Sequence, residues 1–439
     1  MENVARTIVA RLVGAGHTAL FAGGCVRDRL LGREGHDIDI ATSAPPEQVQ
    51  ALFHHTVAVG AQFGVIVVVE RGMEFQVATF RADGLYIDGR RPESVAFSTP
   101  ERDAARRDFT VNGVFFDPLT EAYLDFVGGQ EDLNRRVIRA IGDAEARFNE
   151  DKLRLLRAVR FAATLEFEID PATWNAVQTL AREIHTVSAE RVRDELVKIF
   201  LSPTRVRGLD LLDASGLLAE VLPEVVALHG CEQPPEFHPE GDVFIHTRLM
   251  LDLLGSDVSL PLVLSVLFHD IGKPPTLMVD ETGRIRFNGH EHVGADMTRD
   301  LMERLRFSND VIDDTVLMVK NHMAFKDVQQ MRVAKLKRFL ARPTINDELE
   351  LHRVDCTSSH GMLDNLDFLL QQREEFAHEP LIPEPLITGR DLIAQGRKPG
   401  PEFKEILDAV QTQQLEGTLK TPAEAMLWVD QEFPHATKP

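Results

Sequence analysis

The stretch Phe21–Thr42, FAGGCVRDRLLGREGHDIDIAT, constrains the fold more than any other part of this 439-residue chain. Two glycines and an Arg-Asp pair precede a short apolar segment that carries Asp37 and Asp39 two residues apart. In a strand, residues two apart point to the same side, so the spacing predicts that both carboxylates converge on one point. Such a point suits a pair of Mg²⁺ ions bridging an attacking oxygen and a transferring phosphate. Gly23 and Gly24 let the backbone approach a triphosphate closely, and Arg27 can pair with it. Alone, Gly-Gly marks a turn and Asp-x-Asp a solvated loop. Joined across a short spacer, they outline a nucleotidyl-transfer site.

The charge balance qualifies that outline. A net charge of −21 argues against a generic nucleic-acid binder, whose footprint is usually basic. The acid is unevenly spread: residues 1–210 hold 26 Lys+Arg against 31 Asp+Glu, and residues 211–439 hold 22 against 38. Tight, salt-insensitive RNA binding is therefore not expected, while a transient hold on a departing substrate is compatible. No run of about 18 apolar residues exists, so no membrane partner is expected. The N-terminus, MENVARTIVARLVGAG, reads as an amphipathic helix and not as a secretory signal. Three widely spaced cysteines form no CxxC pair, which fits a reducing cytoplasm.

Patterning divides the chain. Residues 1–145 alternate helical segments with the Val- and Phe-rich runs VGAQFGVIVVVE and EFQVATF, which read as strands of an α/β head. From Glu145 the pattern is helical. ARFNEDKLRLLRAVRFAATL puts Leu153, Leu156, Val159 and Ala163 on one stripe with the arginines beside it. SAERVRDELVKIFLS continues it, with Ser188 as N-cap. CEQPPEFHPEGD marks a boundary, residues 243–370 read as an all-helical, His-containing domain, and the tail is helical with a break at RKPGPEF.

In NEDKLRLLRAVRFA, Asp151 and Arg154 lie one helical turn apart and can face a common target. A carboxylate accepts from an exocyclic amine, and a guanidinium donates to ring nitrogen and carbonyl acceptors. Together they could read cytosine and adenine while failing with uracil and guanine. The same helix can instead be an amphipathic one with solvated Arg–Asp pairs.

With GGxVRD followed by DxD, the chain resembles the polynucleotide adenylyltransferase and CCA-adding enzyme family, specifically class II tRNA nucleotidyltransferases. The resemblance implies a nucleotidyltransferase-like mixed sheet with helices, followed by an elongated all-α neck, body and HD domain. The domains expected are a head at 1–145, a neck and body at 146–230, an HD domain at 231–370 and a tail region at 371–439. It implies template-independent addition of CCA to the tRNA 3′ end from CTP and ATP, with Asp37 and Asp39 holding Mg²⁺. Gly24 and Arg27 would bind nucleotide. ARRDFTVNG resembles the family's ribose-selecting motif, in which Arg107 and Asp108 would hold sugar or phosphate and Asn112 would shape the sugar pocket. Asp151 and Arg154 match the family's protein template, ED-x-x-R, and Arg157 and Arg160 would meet the triphosphate or the tRNA end. Arg91 and Glu93, in RPE, fit the family's flexible-loop switch from CTP to ATP and favour full CCA addition. Many relatives carry Glu where this chain has Gln76, so Glu74, sharing its face, is the substitute candidate for a third metal carboxylate.

A second constellation begins at His246: HTRLML, FHDIGKP, FNGHEHVGA, VKNHM and HRVDC. Adjacent His269 and Asp270 can ligate one ion, with His246 and Asp355 completing the set, and imidazole plus carboxylate suits a transition metal. The order resembles the HD phosphohydrolase superfamily, in which His290 and His322 match positions of a second metal. Gly400-Pro401 could offer backbone N–H groups to an RNA phosphate, or cap an ordinary helix. Three alternatives to CCA addition stand beside it: a poly(A) polymerase or partial (A- or CC-) adding enzyme, an HD phosphohydrolase, and a non-catalytic RNA-binding protein. The intact DxD and the acidic surface argue against the last.

Overall fold

The computed structural model describes residues 1–33, 37–60, 64–83, 95–234 and 241–434. They open with helix α1 (Glu2–Gly14), whose Val4, Ala5, Ile8, Val9 and Leu12 form a buried stripe at helical spacing. Strand β1 (Ala19–Ala22) leads into helix α2 (Gly24–Leu30), and β2 (Asp39–Thr42) into α3 (Pro46–Leu52). Then come β3 (Thr56–Gly60), β4 (Val65–Glu70) and β5 (Met73–Thr79), and a separate hairpin of β6 (Arg81–Asp83) and β7 (Val95–Phe97). After α4 (Pro100–Ala105), β8 (Phe115–Asp117) and β9 (Ala122–Leu124) complete the sheet.

The seven strands lie in the order β3-β4-β5-β2-β1-β8-β9, antiparallel throughout except for the parallel pair β2–β5. This is the mixed-sheet head expected. Alternation sorts β1 between two cores: Ala19 and Phe21 pack with Ile40, Val77 and α1, while Leu20 and Ala22 pack with Ala41, Phe80, Ala104 and Phe115. Ala22 is paired with Asp39, so the glycine turn leaving β1 starts beside that carboxylate. Asp39 opens β2, and Asp37 lies just before the strand. One strand reading is corrected: VGAQFGVIVVVE is the end of β3 and all of β4, antiparallel partners, with Gly64 at φ +81 before β4. A glycine in that conformation turns the chain where a run of valines alone suggests continuity.

The helical region follows as α5 (Gly129–Arg135), β10 (Val137–Ile138), α6 (Ala144–Glu150), α7 (Leu153–Leu165), β11 (Glu168–Ile169), α8 (Pro171–Leu180) and α9 (Ala189–Phe200). Leu153, Leu156, Val159 and Ala163 are buried on α7 as the stripe requires. The continuous helix expected through Asp151 is in fact broken there. Asp151 adopts φ −152 and ψ 106, and its carboxylate accepts from the Leu153 N–H, a local bond that competes with helical propagation. Ser188 occupies the N-cap of α9 without a side-chain capping bond. Helices α10 (Arg205–Ala214), α11 (Leu217–Val221) and α12 (Pro223–Val226) end the first of two compact units, residues 1–226 with 304–307.

The second unit comprises residues 227–303 and 308–439. It contains α13 (Val243–Leu253), α14 (Leu260–Phe268), α15 (Lys273–Thr276), α16 (His290–Arg304) apart from its last residue, α17 (Asn309–Asn321), a 3₁₀ segment (His322–Gln330), α18 (Val333–Leu340), α19 (Ile345–Ser358) and α20 (Asp364–Phe376). It is not all-helical: β12 (Met278–Val279) and β13 (Ile285–Arg286) form an antiparallel hairpin. Helices α21 (Gly389–Ala394), α22 (Pro401–Leu415) and α23 (Pro422–Glu432) follow, with their own core of Ile387, Leu392, Ile406, Val410 and Val429. Gly400 and Pro401 are the N-cap and first residue of α22. Among the described residues no helix is long and apolar enough to cross a membrane.

Candidate functional sites

A cleft of about 820 Å³ in the first unit gathers the sequence-predicted head residues. Gly24, Arg27, Asp37, Asp39, Arg107, Asp108, Asn112, Asp151, Arg154, Arg157 and Arg160 all line it. Its walls carry eight basic and five acidic side chains, a local excess of cations in an acidic protein. Arg91 and Glu93 lie outside the described residues.

Gly23 makes the floor possible. It sits at φ +75 and ψ −138, and a Cβ there would stand 3.4 Å from Arg107 Nη1 and 3.7 Å from Asp39 Oδ2. Only glycine adopts that backbone readily while leaving the space between guanidinium and carboxylate open. Asp37 and Asp39 are both exposed to the cleft. Desolvation raises the Asp39 carboxyl, Arg107 opposes the rise, and the charge of Asp37 adds to it. A carboxylate whose charge is disfavoured by burial and by a neighbouring carboxylate fits a shared divalent cation, which would relieve the repulsion. Gln76 and Glu74 are exposed on β5, and neither is among the residues lining the cleft.

Behind the carboxylates the arginines are held by a buried polar network. Asp103, 1% exposed, accepts from Arg106 at 2.7 Å and from Arg107 at 3.0 Å. Asn112 accepts from Arg27 Nη1 at 2.9 Å through its side chain and from Arg107 Nη1 at 3.2 Å through its backbone, and donates to Asp108 at 3.1 Å. Asp108 also accepts from the Phe109 N–H and, through one oxygen, from Arg157 Nε at 2.8 Å and Nη2 at 2.5 Å. Burial alone would raise the Asp108 carboxyl, but the Arg157 charge and these bonds hold it at about 2. The ring of Phe161 lies under three guanidinium groups, with Arg160 at 4.0 Å and Arg27 and Arg157 at 5.2 Å from its centroid. Each cation is thus fixed in direction before any ligand arrives.

The base-reading pair is also pre-positioned. Arg154 donates to Glu150 at 2.6 Å and to the carbonyls of Arg147 and Arg106. Asp151 accepts from the Leu153 N–H at 3.1 Å and from Arg191 Nη2 at 2.7 Å. Arg160 donates to Glu195, 2% exposed, at 2.5 Å. Asp103, Glu195, Phe161 and Arg191 were not singled out in the sequence. Arg191 and Glu195 are legible there only as polar positions of an amphipathic helix, and their partners come from other elements.

In the second unit, His246 on α13, His269 at the end of α14, Asp270, His290 opening α16, His322 after α17 and Asp355 on α19 are brought together. Their ligand atoms make two triads that share one carboxylate: His246, His269 and Asp270, then Asp270, His290 and His322. Asp355 Oδ1 lies 3.1 Å from His246 Nε2. The Nδ1 atoms of His269, His290 and His322 bond the carbonyls of Val266, Phe287 and Val319 at 2.9, 2.8 and 2.6 Å. That leaves each Nε2 facing inward, the orientation metal-binding imidazoles need. Asp270 Oδ1 and Oδ2 and His269 Nε2 are buried without a well-formed hydrogen bond, although Lys273 Nζ and His269 Nε2 stand 2.6 and 3.0 Å from Asp270 Oδ2 as charge partners. Despite burial, His269 and Lys273 hold the Asp270 carboxyl well below its ordinary range, while burial and neighbouring imidazoles push His322 down to about 3. Carboxylate and neutral imidazole are the ligating forms. A cleft of about 660 Å³ opens onto the set and adds Lys273, Arg284, Arg286 and Lys326, the hairpin β12–β13 supplying Arg286.

Comparison with known proteins follows this layout. The poly A polymerase head domain matches residues 19–139, and a region described as the probable RNA and SrmB-binding site of polymerase A matches 166–228. The HD domain matches 243–358, and a tRNA nucleotidyltransferase domain 2 matches 378–429. A CCA-adding enzyme of Geobacillus stearothermophilus is 46% identical over 213 residues, 48% of this chain and 52% of the relative. One from Leuconostoc mesenteroides is 45% identical over 208 residues, 47% and 52%. The chain thus spans about half the length of the curated relatives it matches. The structure resembles the Bacillus stearothermophilus CCA-adding enzyme in complex with CTP at a TM-score of 0.76 and 28% identity over 98% of each chain. A Thermotoga maritima CCA-adding enzyme complexed with tRNA shares the fold at 0.59 and 18% identity over 98% of this chain and 95% of that one.

Proposed function

The chain belongs to the poly(A) polymerase and CCA-adding enzyme family and carries a C-terminal HD domain, and on that premise we propose that it adds CCA to the 3′ end of tRNA from CTP and ATP. The supporting observation is the cleft that Asp37 and Asp39 share with a set of pre-oriented arginines. Within this reading residues 1–145 are the nucleotidyltransferase head, 146–230 the templating neck and body, 231–370 the HD domain and 371–439 the tail. Cytoplasm is the compartment it implies, and the three cysteines are free.

Asp37 and Asp39 would hold a pair of Mg²⁺ ions, which when bound supply positive charge at the transferring phosphate. Arg27, Arg107, Arg157 and Arg160 orient the triphosphate and offset its charge. Gly23 and Gly24 keep the approach to the backbone open. Asn112 and Asp108 set the sugar pocket by fixing Arg27 and Arg157. Asp151 accepts the exocyclic amine of cytosine or adenine, and Arg154 donates to the acceptors beside it. The tRNA 3′-hydroxyl attacks the α-phosphate, and pyrophosphate leaves toward the arginine wall. Arg91 and Glu93 would act in the change from CTP to ATP.

The test is incorporation of labelled CTP and ATP, separately and together, into tRNA ending at the discriminator base. Two C residues followed by one A are expected, with Asp37→Ala and Asp39→Ala each losing at least about a hundredfold. Extension by ATP alone into a tail would replace this reading with poly(A) synthesis.

The two histidine triads favour a second activity, metal-dependent phosphoester hydrolysis at the HD site with a transition metal, its anionic substrate met by Lys273, Arg286 and Lys326. Purified full-length protein should carry the metal by elemental analysis, and His269→Ala with Asp270→Ala should lose it while CTP incorporation persists. Equal metal content in the double variant would refute the assignment.

A further inference from the structure

We infer that Arg191 is a specificity-determining positioning residue, which clamps Asp151 so that its carboxylate is presented to the nucleobase as a fixed acceptor. The inference rests on the proposed base-reading role of Asp151. Arg191 sits in the first turn of α9 and reaches across to the break between α6 and α7, where Arg191 Nη2 donates to Asp151 Oδ2 at 2.7 Å. The Leu153 N–H donates to the other oxygen at 3.1 Å. These two bonds meet opposite oxygens of one carboxylate and fix its plane, while each oxygen keeps further acceptor capacity. Arg191 and Asp151 both line the nucleotide cleft, with side chains 22% and 17% exposed.

The chemistry of the two base classes makes that fixation selective. Cytosine and adenine present an exocyclic N–H₂ that donates to a carboxylate; uracil and guanine present a carbonyl oxygen at the same edge, and two acceptors face one another. A carboxylate that can swing away escapes that repulsion, so discrimination requires it to be held. Asp151 is not within a helix, its φ and ψ being −152 and 106, and the local backbone holds only one carboxylate oxygen, through the Leu153 N–H. Arg191 holds the other. One turn further along α9, Glu195 receives Arg160 at 2.5 Å. The same helix face therefore positions both the base-reading carboxylate and a triphosphate-facing guanidinium.

Arg191→Met keeps most of the side-chain bulk and removes the donor; Arg191→Lys keeps a charge and a donor. With full-length protein and tRNA ending at the discriminator base, kcat/KM is measured for CTP, ATP, UTP and GTP. Arg191→Met is expected to lower the CTP-to-UTP and ATP-to-GTP ratios by about tenfold or more, the loss falling on cytosine and adenine preference. Arg191→Lys should restore most of that ratio, which a merely structural role would not require. A uniform fall for all four nucleotides in Arg191→Met, with ratios unchanged, overturns the inference, provided that Asp151→Asn shifts the ratios. Unchanged ratios in Asp151→Asn as well would overturn the base-reading role itself.

Discussion

Replacing Asp108 by Asn tests whether the buried network behind the cleft is an electrostatic one. Asp108 is 7% exposed, receives both Nε and Nη2 of Arg157 on one oxygen, and has its carboxyl held at about 2 against an ordinary 3.8. At about 1.4 kcal/mol per pH unit, that depression corresponds to about 2 kcal/mol of stability at neutral pH. The folded value is the lower one, so the contribution is present above about pH 4 and is lost as pH falls through 2. Asn preserves the shape and the acceptor for the Phe109 N–H but leaves the half-buried Arg157 without its hydrogen-bonded counter-ion. The assay is urea unfolding in a Trp428→Phe background, where Trp174 of α8 is the one remaining tryptophan of the two in the sequence. Asp108→Asn should lower unfolding free energy by about 2 kcal/mol at pH 7, and the gap to the parent should roughly halve near pH 3. A gap below about 0.5 kcal/mol at pH 7, or one that does not shrink with acid, would refute the electrostatic account.

Gly23→Ala should lower kcat/KM for CTP by about tenfold or more, since it costs about 1–3 kcal/mol of backbone strain and puts a methyl between Arg107 and Asp39; steady-state incorporation within about twofold of the parent would contradict it. Phe161→Leu removes the π face under Arg27, Arg157 and Arg160, each such contact being worth about 0.5–1 kcal/mol. The nucleotide KM should rise about three- to tenfold, and an unchanged KM would show that carboxylates alone orient these arginines.

Much of the head was legible because its chemistry is written at short range. The two-residue spacing of Asp37 and Asp39, the glycines before Arg27 and the run Arg107-Asp108…Asn112 all keep their groups within a few residues of one another, although Asp37 lies just before β2 and not within it. The helix stripe of α7 was legible for the same reason. The break at Asp151 was not, because it depends on a side-chain bond to the Leu153 N–H winning over helix propagation. The strand reading of VGAQFGVIVVVE failed where β3 ends and β4 begins, since a β-rich run does not reveal where it folds back. The hairpin β12–β13, two residues per strand, is too short to leave a period at all.

The sequence by itself determined which groups are available: two carboxylates two residues apart, a cluster of arginines, an adjacent His-Asp pair and four further ligand candidates in order. Tertiary structure decided what those groups are paired with. A chain of net charge −21 builds a cation-rich cleft with the buried carboxylates of Asp103, Asp108 and Glu195 paired to its arginines, each turning a positive charge in a set direction. Arg191 meets Asp151 across 40 positions, and Asp355 meets His246 across 109. No local period links such partners: their distances follow from how helices pack, and an ion pair's strength from how much water that packing removes.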